Sequence, residues 1–280
     1  MYPSWTNEQT LEMYRKMTPN YSGVWKDMVG VTNHHEADYC VVIDYTAERV
    51  DPDKTIYIGA HPFIEGYNGY KDLSRHKHKL DLKDTFGFGE WWLKYDYDYL
   101  SALEPMDKTK DLCCIMSNTD GKQGQTQRKI FIKELAKRVD VHIYGRIEGI
   151  GMGVLGSTDL YGGNHCHGKE DVLAEHRYSI EIDIGLTRNY FSERFFDSLL
   201  MWCMPLYWGS TNVEEYIPAR AFKYIDIYDG YFNIFSVINS NKREQNLDAI
   251  AEARHLLLNK YQIWARVYEF ISNNPLLQRR

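Results

Sequence analysis

An α/β protein built of two sheet-and-helix units is the fold class this sequence predicts, on three observations. Short β-branched or aromatic runs alternate with amphipathic helical stretches along the 280 residues. The stretch from Asp111 to Gly145 reads strand, glycine-containing loop, helix, strand, the βαβ unit of a parallel sheet. Strand and helix patterns resume after His176, beyond the glycine-rich and aperiodic segment 146–171. That segment is the candidate connection, so the expected division is an N-terminal unit over residues 1–150 and a C-terminal unit over residues 151–280.

Taken in order, "ADYCVVIDY" (Ala37 to Tyr45) and "KTIYIGA" (Lys54 to Ala60) are apolar runs bounded by Asp, Pro and Gly, and read as buried strands. "DLCCIMSN" is a third strand and runs into the polar loop "TDGKQGQ". "TQRKIFIKELAKRV" places Ile130, Phe131, Leu135 and Val139 at helical spacing, and "DVHIYG" returns to strand. "HRYSIEIDIG" is strand-like, Ser192 to Cys203 helical, Pro205 to Trp208 strand-like, and "AFKYIDI" strand-like again. From Glu244 to Ile271, apolar residues three or four apart predict one or two closing helices.

Composition bounds the function. With 44% hydrophobic and 14% aromatic residues the chain has ample material for packed cores. A net charge of −6 argues against a protein held by broad attraction to nucleic-acid phosphates or anionic lipid. The five cysteines, Cys40, Cys113, Cys114, Cys166 and Cys203, sit mostly in apolar runs and fit buried thiols in a reducing compartment. No basic-apolar-small leader opens the sequence, and no apolar run approaches the roughly 20 residues of a membrane span. A cytoplasmic location is expected.

The chemistry concentrates in "NYFSERFFDSLLMWCMPLYWGSTNVEEYIP", Asn189 to Pro218. Ser192 stands where it caps the helix that follows. The unpartnered N–H groups of a first helical turn favour an anion, and the Arg194 guanidinium beside them offers a fork for phosphate oxygens. Glu193 repels phosphate and is suited instead to accept hydrogen bonds from sugar hydroxyls, while Tyr190 stacks on a ring or donates its hydroxyl. The same residues also read as an ordinary capped helix packing Phe195, Phe196, Leu199 and Leu200 on a sheet, with Glu193 and Arg194 in solvent.

That stretch resembles the donor-binding signature of the α-1,3-fucosyltransferase family (glycosyltransferase family 10) and its bacterial and viral relatives. "MSNTDGKQGQTQRKIFIKELAKRVDVHIYGR" is similar to the family's Ser-Asn, arginine, helix, Gly-Arg block, and "HRYSIEIDIG" and "AFKYIDI" follow in the family's order. The resemblance implies a GT-B-like fold, two Rossmann-like domains facing a cleft, with the donor nucleotide on the C-terminal one. It implies an inverting glycosyltransferase that moves fucose, a related deoxy-sugar or a pentose from a nucleoside diphosphate, GDP among them, to a glycan hydroxyl. No metal or other cofactor is implied, since cationic side chains and a helix N-terminus serve the leaving diphosphate. By position, Tyr190, Glu193, Arg194 and Arg128 fall on the donor, with Ser117 and Asn118 shaping the loop between them. Two departures remodel the pocket: Arg194 replaces the usual lysine, and Ile182 and Asp183 replace an Asn-Ser pair.

Inverting transfer needs a base to take the acceptor proton. The family places a glutamate after an N-domain strand, where this chain has "YIGAHPF", so His61 is the candidate, with Glu65 further on as the other. "DYD" (Asp96 to Asp98) and "DPD" (Asp51 to Asp53) have the form of a metal-binding Asp-x-Asp but arise readily in an acidic, tyrosine-rich chain, and "HCH" (His165 to His167) lacks a second ligand pair. The acceptor expected is a glycan such as a bacterial surface oligosaccharide. The alternative, a hydroxymethylated base in DNA, has His76, Lys77, Lys79 and the tryptophans of "FGFGEWWL" as its visible resources. A third reading, a non-catalytic nucleotide-sugar or glycan-binding protein, rests on the missing glutamate.

Overall fold

The computed structural model describes residues 5–46, 48–62, 71–117, 119, 121–145 and 168–278. The N-terminal half opens with helix α1 (Asn7–Arg15), closed at its start by a capping box in which Thr6 and Gln9 satisfy each other's backbone N–H groups. A short antiparallel hairpin, β1 (Val24–Trp25) and β2 (Met28–Val29), follows. Strands β3 (Cys40–Ile43), β4 (Thr55–Ile58) and β5 (His78–Leu80) then form a parallel sheet in sequence order. All four residues of β4 are buried, as a strand covered on both faces requires. Helix α2 (Tyr97–Ala102) starts at Asp96, whose carboxylate accepts from the Tyr99 N–H, and Asp98 accepts from the Asn20 N–H. These two acids of the "DYD" motif thus serve local structure.

The C-terminal half is a five-stranded parallel sheet. Its strands are β6 (Lys110–Ile115), β7 (His142–Tyr144), β8 (His176–Ile182), β9 (Met204–Trp208) and β10 (Lys223–Tyr224), in the order β10-β9-β8-β6-β7. Helix α3 (Gln123–Leu135) makes the crossover from β6 to β7, α4 (Lys169–Glu175) leads into β8, and α5 (Glu193–Leu200) joins β8 to β9. Helices α6 (Tyr231–Asn239), α7 (Leu247–Leu256), α8 (Ile263–Ser272) and α9 (Pro275–Gln278) close the chain. No described helix is long and apolar enough to cross a membrane.

Three expectations need correction. The sheets divide between β5 and β6, not at residue 150: β6 and β7 precede 150 yet pair with β8 and with each other. Parallel pairing across a helical crossover is blind to the glycine content of the loop that marks residue 150 as a boundary in the sequence. The C-terminal helices also return to the first half. Trp264 Nε1 donates to the Tyr14 carbonyl at 2.9 Å and Arg266 Nη2 to the Phe86 carbonyl at 2.7 Å, after a π-helical turn over Leu257–Tyr261 breaks the helical stretch. Last, α3 turns Ile132 inward, fully buried, and leaves Ile130 51% exposed, because its inner face carries Arg128, Phe131, Ile132 and Leu135.

Of the described cysteines, Cys113, Cys114 and Cys203 are buried thiols and Cys40 is half-buried. Cys166 and the flanking His165 and His167 lie outside the described residues.

Candidate active site

Because β3 and β4 run parallel with Ile43 opposite Ile58, the residues just beyond them, Asp44 and Gly59 to His61, emerge side by side at the carboxyl end of the sheet. Asp44 takes a left-handed backbone conformation, φ 58°, that turns the chain there. Its buried carboxylate accepts from the Ala60 N–H at 2.8 Å and the His61 N–H at 3.3 Å through Oδ1, and Oδ2 meets His61 Nδ1. Burial lowers the His61 pKa, but the Asp44 bond and charge, with the charges of Glu90 and Glu193, outweigh it, and the net direction is up.

His61 lines a cavity of about 380 Å³ whose other walls come from distant stretches: Trp5, Glu90 and Trp92 on one side, and Asn189, Tyr190, Ser192 and Glu193 at the start of α5 on another. The loop bearing Glu90 presses on the end of β4, where a Cβ at Gly87 would stand 2.4 Å from the Gly59 carbonyl oxygen, so only glycine fits. Glu90 is half-buried and accepts from the Tyr14 hydroxyl at 3.2 Å. Burial and the neighbouring Glu193 charge push its pKa up to about 7, against the pull of Trp92, His61 and Tyr14. The cavity therefore holds two titratable groups whose pKa values are both raised.

Asn189 fixes one wall to the other. With φ 63°, a conformation asparagine tolerates, it donates through Nδ2 to the Leu82 carbonyl of the first half at 2.9 Å, and its Oδ1 accepts from Asn212 Nδ2 and the Tyr216 hydroxyl. Ser192 occupies the N-cap position of α5 as expected, but its side chain makes no capping bond, so the first-turn N–H groups are not satisfied by it.

Behind this helix start, Arg128 and Arg194 converge on one atom. Arg194 Nη2 donates to the Ile182 carbonyl at 3.1 Å and Arg128 Nη1 to the same oxygen at 3.5 Å, while Arg128 Nη2 reaches the Ser117 carbonyl at 3.4 Å. Asp183 lies 3.7 Å from Arg194 and accepts from the Tyr207 hydroxyl. Burial and the adjacent Arg194 lower the Arg128 pKa to about 10, which leaves it cationic at neutral pH. For Arg194 burial is outweighed by Glu193, Asp183 and Glu181, and the direction is up. The Nε atoms of both arginines are buried without a hydrogen-bond partner among the described residues. Such orphaned donors are expensive unless a ligand or another group satisfies them.

The sequence-derived set is thus split. His61, Tyr190 and Glu193 line the cavity; Arg128, Arg194, Asp183 and Ser117 cluster at the carboxyl ends of β6 and β8, outside its lining. Asn118 and Glu65 lie outside the described residues. Sequence reasoning missed Asp44 and Glu90. Asp44 ends the apolar run "VVID", and an acid placed there at the mouth of a strand was the available signal.

Two parallel sheets, with the residues beyond β4 and beyond β8 lining one cavity and with closing helices that return to the first half, have the arrangement of a GT-B fold. The comparisons agree. The C-terminal signature of glycosyltransferase family 10 (fucosyltransferase) matches residues 105–272, and the chain belongs to that family. Its architecture is similar to a crystal structure of an alpha1,3-fucosyltransferase, with a TM-score of 0.50 and 13% identity, covering 99% of this chain and 90% of the other. The GDP-fucose protein O-fucosyltransferase 3 of Xenopus laevis is 23% identical over 166 residues, 57% of this chain and 34% of its own length. That of Xenopus tropicalis is 24% identical over 169 residues, 57% and 33% respectively. The chain spans about a third of the length of these curated relatives.

Proposed function

We propose that this glycosyltransferase moves a fucose or related deoxy-sugar or pentose from a nucleoside diphosphate to a hydroxyl of a glycan, with inversion and without a metal. The observation that carries the reading is the Asp44–His61 pair in the same cavity as the start of α5. With Nδ1 engaged by Asp44, His61 Nε2 takes the acceptor proton as the hydroxyl oxygen bonds to the anomeric carbon. The bond from that carbon to the diphosphate oxygen breaks on the opposite face, and the electron pair leaves with the diphosphate. Arg128, Arg194 and the α5 N–H groups supply positive potential for that leaving group. Glu193 accepts from the sugar hydroxyls and Tyr190 stacks on the sugar ring, a reading supported by both residues lining the cavity. The names of the curated relatives make GDP the first nucleotide to try.

A hydroxymethylated base in duplex DNA is disfavoured as acceptor. Neither lysine nor arginine stands among the described lining residues, and the basic run beside β5 is engaged locally, with Lys77 on Asp53 at 2.9 Å and His76 stacked on Tyr57.

The test is a thermal-shift screen over GDP, UDP, CDP and TDP sugars, since a ligand of the native state raises its melting temperature with affinity. A response to GDP-fucose supports the donor assignment, a response to UDP sugars alone redirects it, and no response to any of the four overturns it.

A further inference from the structure

The segment Glu90 to Lys94 is fixed at five successive residues. The Glu90 carboxylate accepts from the Tyr14 hydroxyl, Trp91 Nε1 donates to the Tyr95 carbonyl at 3.0 Å, and the Trp92 N–H donates to Asp197 Oδ1 at 2.9 Å. The Leu93 carbonyl accepts from Lys16 Nζ at 3.1 Å, and the Lys94 N–H donates to Glu170 Oε1. Four of these partners stand on α1 or at its end, on α4 and on α5, the Tyr95 carbonyl alone being local, and no periodic secondary structure of the segment itself demands them. Asp197 is fully buried one turn beyond Glu193, and its second oxygen pairs with Lys169. A carboxylate removed from water at this cost, and spent on the backbone of a loop tryptophan, fixes where that tryptophan stands relative to the donor helix.

What the clamps hold in place is an aromatic wall. Trp92 lines the cavity and meets Trp5 edge to face at 5.7 Å, and neither ring is fully buried, whereas the neighbouring Trp91 is core. The same cavity carries Glu90 and Glu193, with Asp44 behind His61. An apolar ring face beside carboxylates suits the C–H face of a pyranose whose hydroxyls donate to the acids, and it repels an anion.

We propose that Trp92, edged by Trp5, is the platform on which the acceptor sugar lies, that Asp197 is the positioning residue that sets this platform against α5, and that the acceptor ring is uncharged or amino-bearing. The inference rests on the glycosyl-transfer reading above.

The test uses the full chain with GDP-fucose as donor probe and measures GDP release against methyl hexopyranoside, methyl 2-amino-2-deoxyhexopyranoside and methyl hexopyranosiduronate. Trp92→Ala raises the acceptor KM about 10-fold, as loss of one stacked ring does, while KM for GDP-fucose stays within about twofold; Trp92→Phe recovers most of the loss. Asp197→Asn, which keeps an acceptor oxygen for the Trp92 N–H but breaks the pair with Lys169, also raises acceptor KM more than donor KM. The uronate is the poorest of the three acceptors. If wild type turns over GDP-fucose but the uronate matches the neutral glycoside, or Trp92→Ala leaves acceptor KM unmoved, the platform is overturned and glycosyl transfer stands. If wild type neither binds nor turns over GDP-fucose, the donor assignment falls and takes this inference with it.

Discussion

His61 Nδ1 is held by Asp44 Oδ2, a contact between two residues that leave parallel neighbouring strands and are 17 positions apart in sequence. The pairing fixes the ring's orientation, and under the proposed mechanism it directs Nε2 to the acceptor hydroxyl.

The pH dependence follows from the direction of the His61 shift. A raised pKa means that the ring keeps its proton to higher pH, and the basic form is the one that works. The value of kcat/KM therefore rises with pH through a limb above the ordinary imidazole value of about 6.5. Asp44→Asn removes the main raising interaction, so that limb moves to lower pH while kcat falls on the order of 10²-fold. A pH–rate profile of both proteins checks this.

Glu90→Gln distinguishes the two titratable groups of the cavity. With His61 as base, the variant loses one charge that raises the His61 pKa; its limb moves down and kcat falls less than about 10-fold. A collapse of kcat with an intact Glu90→Gln fold assigns the proton to Glu90 instead.

Arg194→Ala removes a buried cation from the Ile182 carbonyl and from Asp183. A charged hydrogen bond is worth about 1.5–3 kcal/mol, so nucleotide affinity falls roughly 10- to 150-fold. Isothermal titration with GDP measures it, and Arg194→Lys lies between the two.

Gly124 opens α3 where a Cβ would stand 1.8 Å from the Asp183 carbonyl oxygen. Gly124→Ala therefore forces backbone apart, costing about 1–3 kcal/mol, and displaces Asp183. Thermal unfolding shows the loss of stability, and GDP titration shows the accompanying loss of affinity.

Much of the fold was legible, because apolar runs bounded by Gly, Pro and Asp mark buried strands whatever their partners. The runs around Val41, Ile56, Cys113 and Ile180 all lie in sheets. What depends on register or on packing direction was not. Asp44 and His61 meet only because β3 and β4 are parallel and in a given register. Ile130 and Ile132 have equal hydrophobicity, and which of them faces the sheet depends on how the face carrying Arg128, Phe131 and Leu135 packs. Ser192 shows the limit of motif reasoning: it stands at the cap position without making the capping bond.

The most direct test separates binding from turnover in His61→Ala. Calorimetry gives the affinity for GDP-fucose, and release of GDP in the presence of a methyl glycoside gives the rate. With His61 as the base, affinity changes less than about threefold while the rate falls on the order of 10²-fold or more. A His61→Ala protein that turns over donor at the wild-type rate contradicts that assignment.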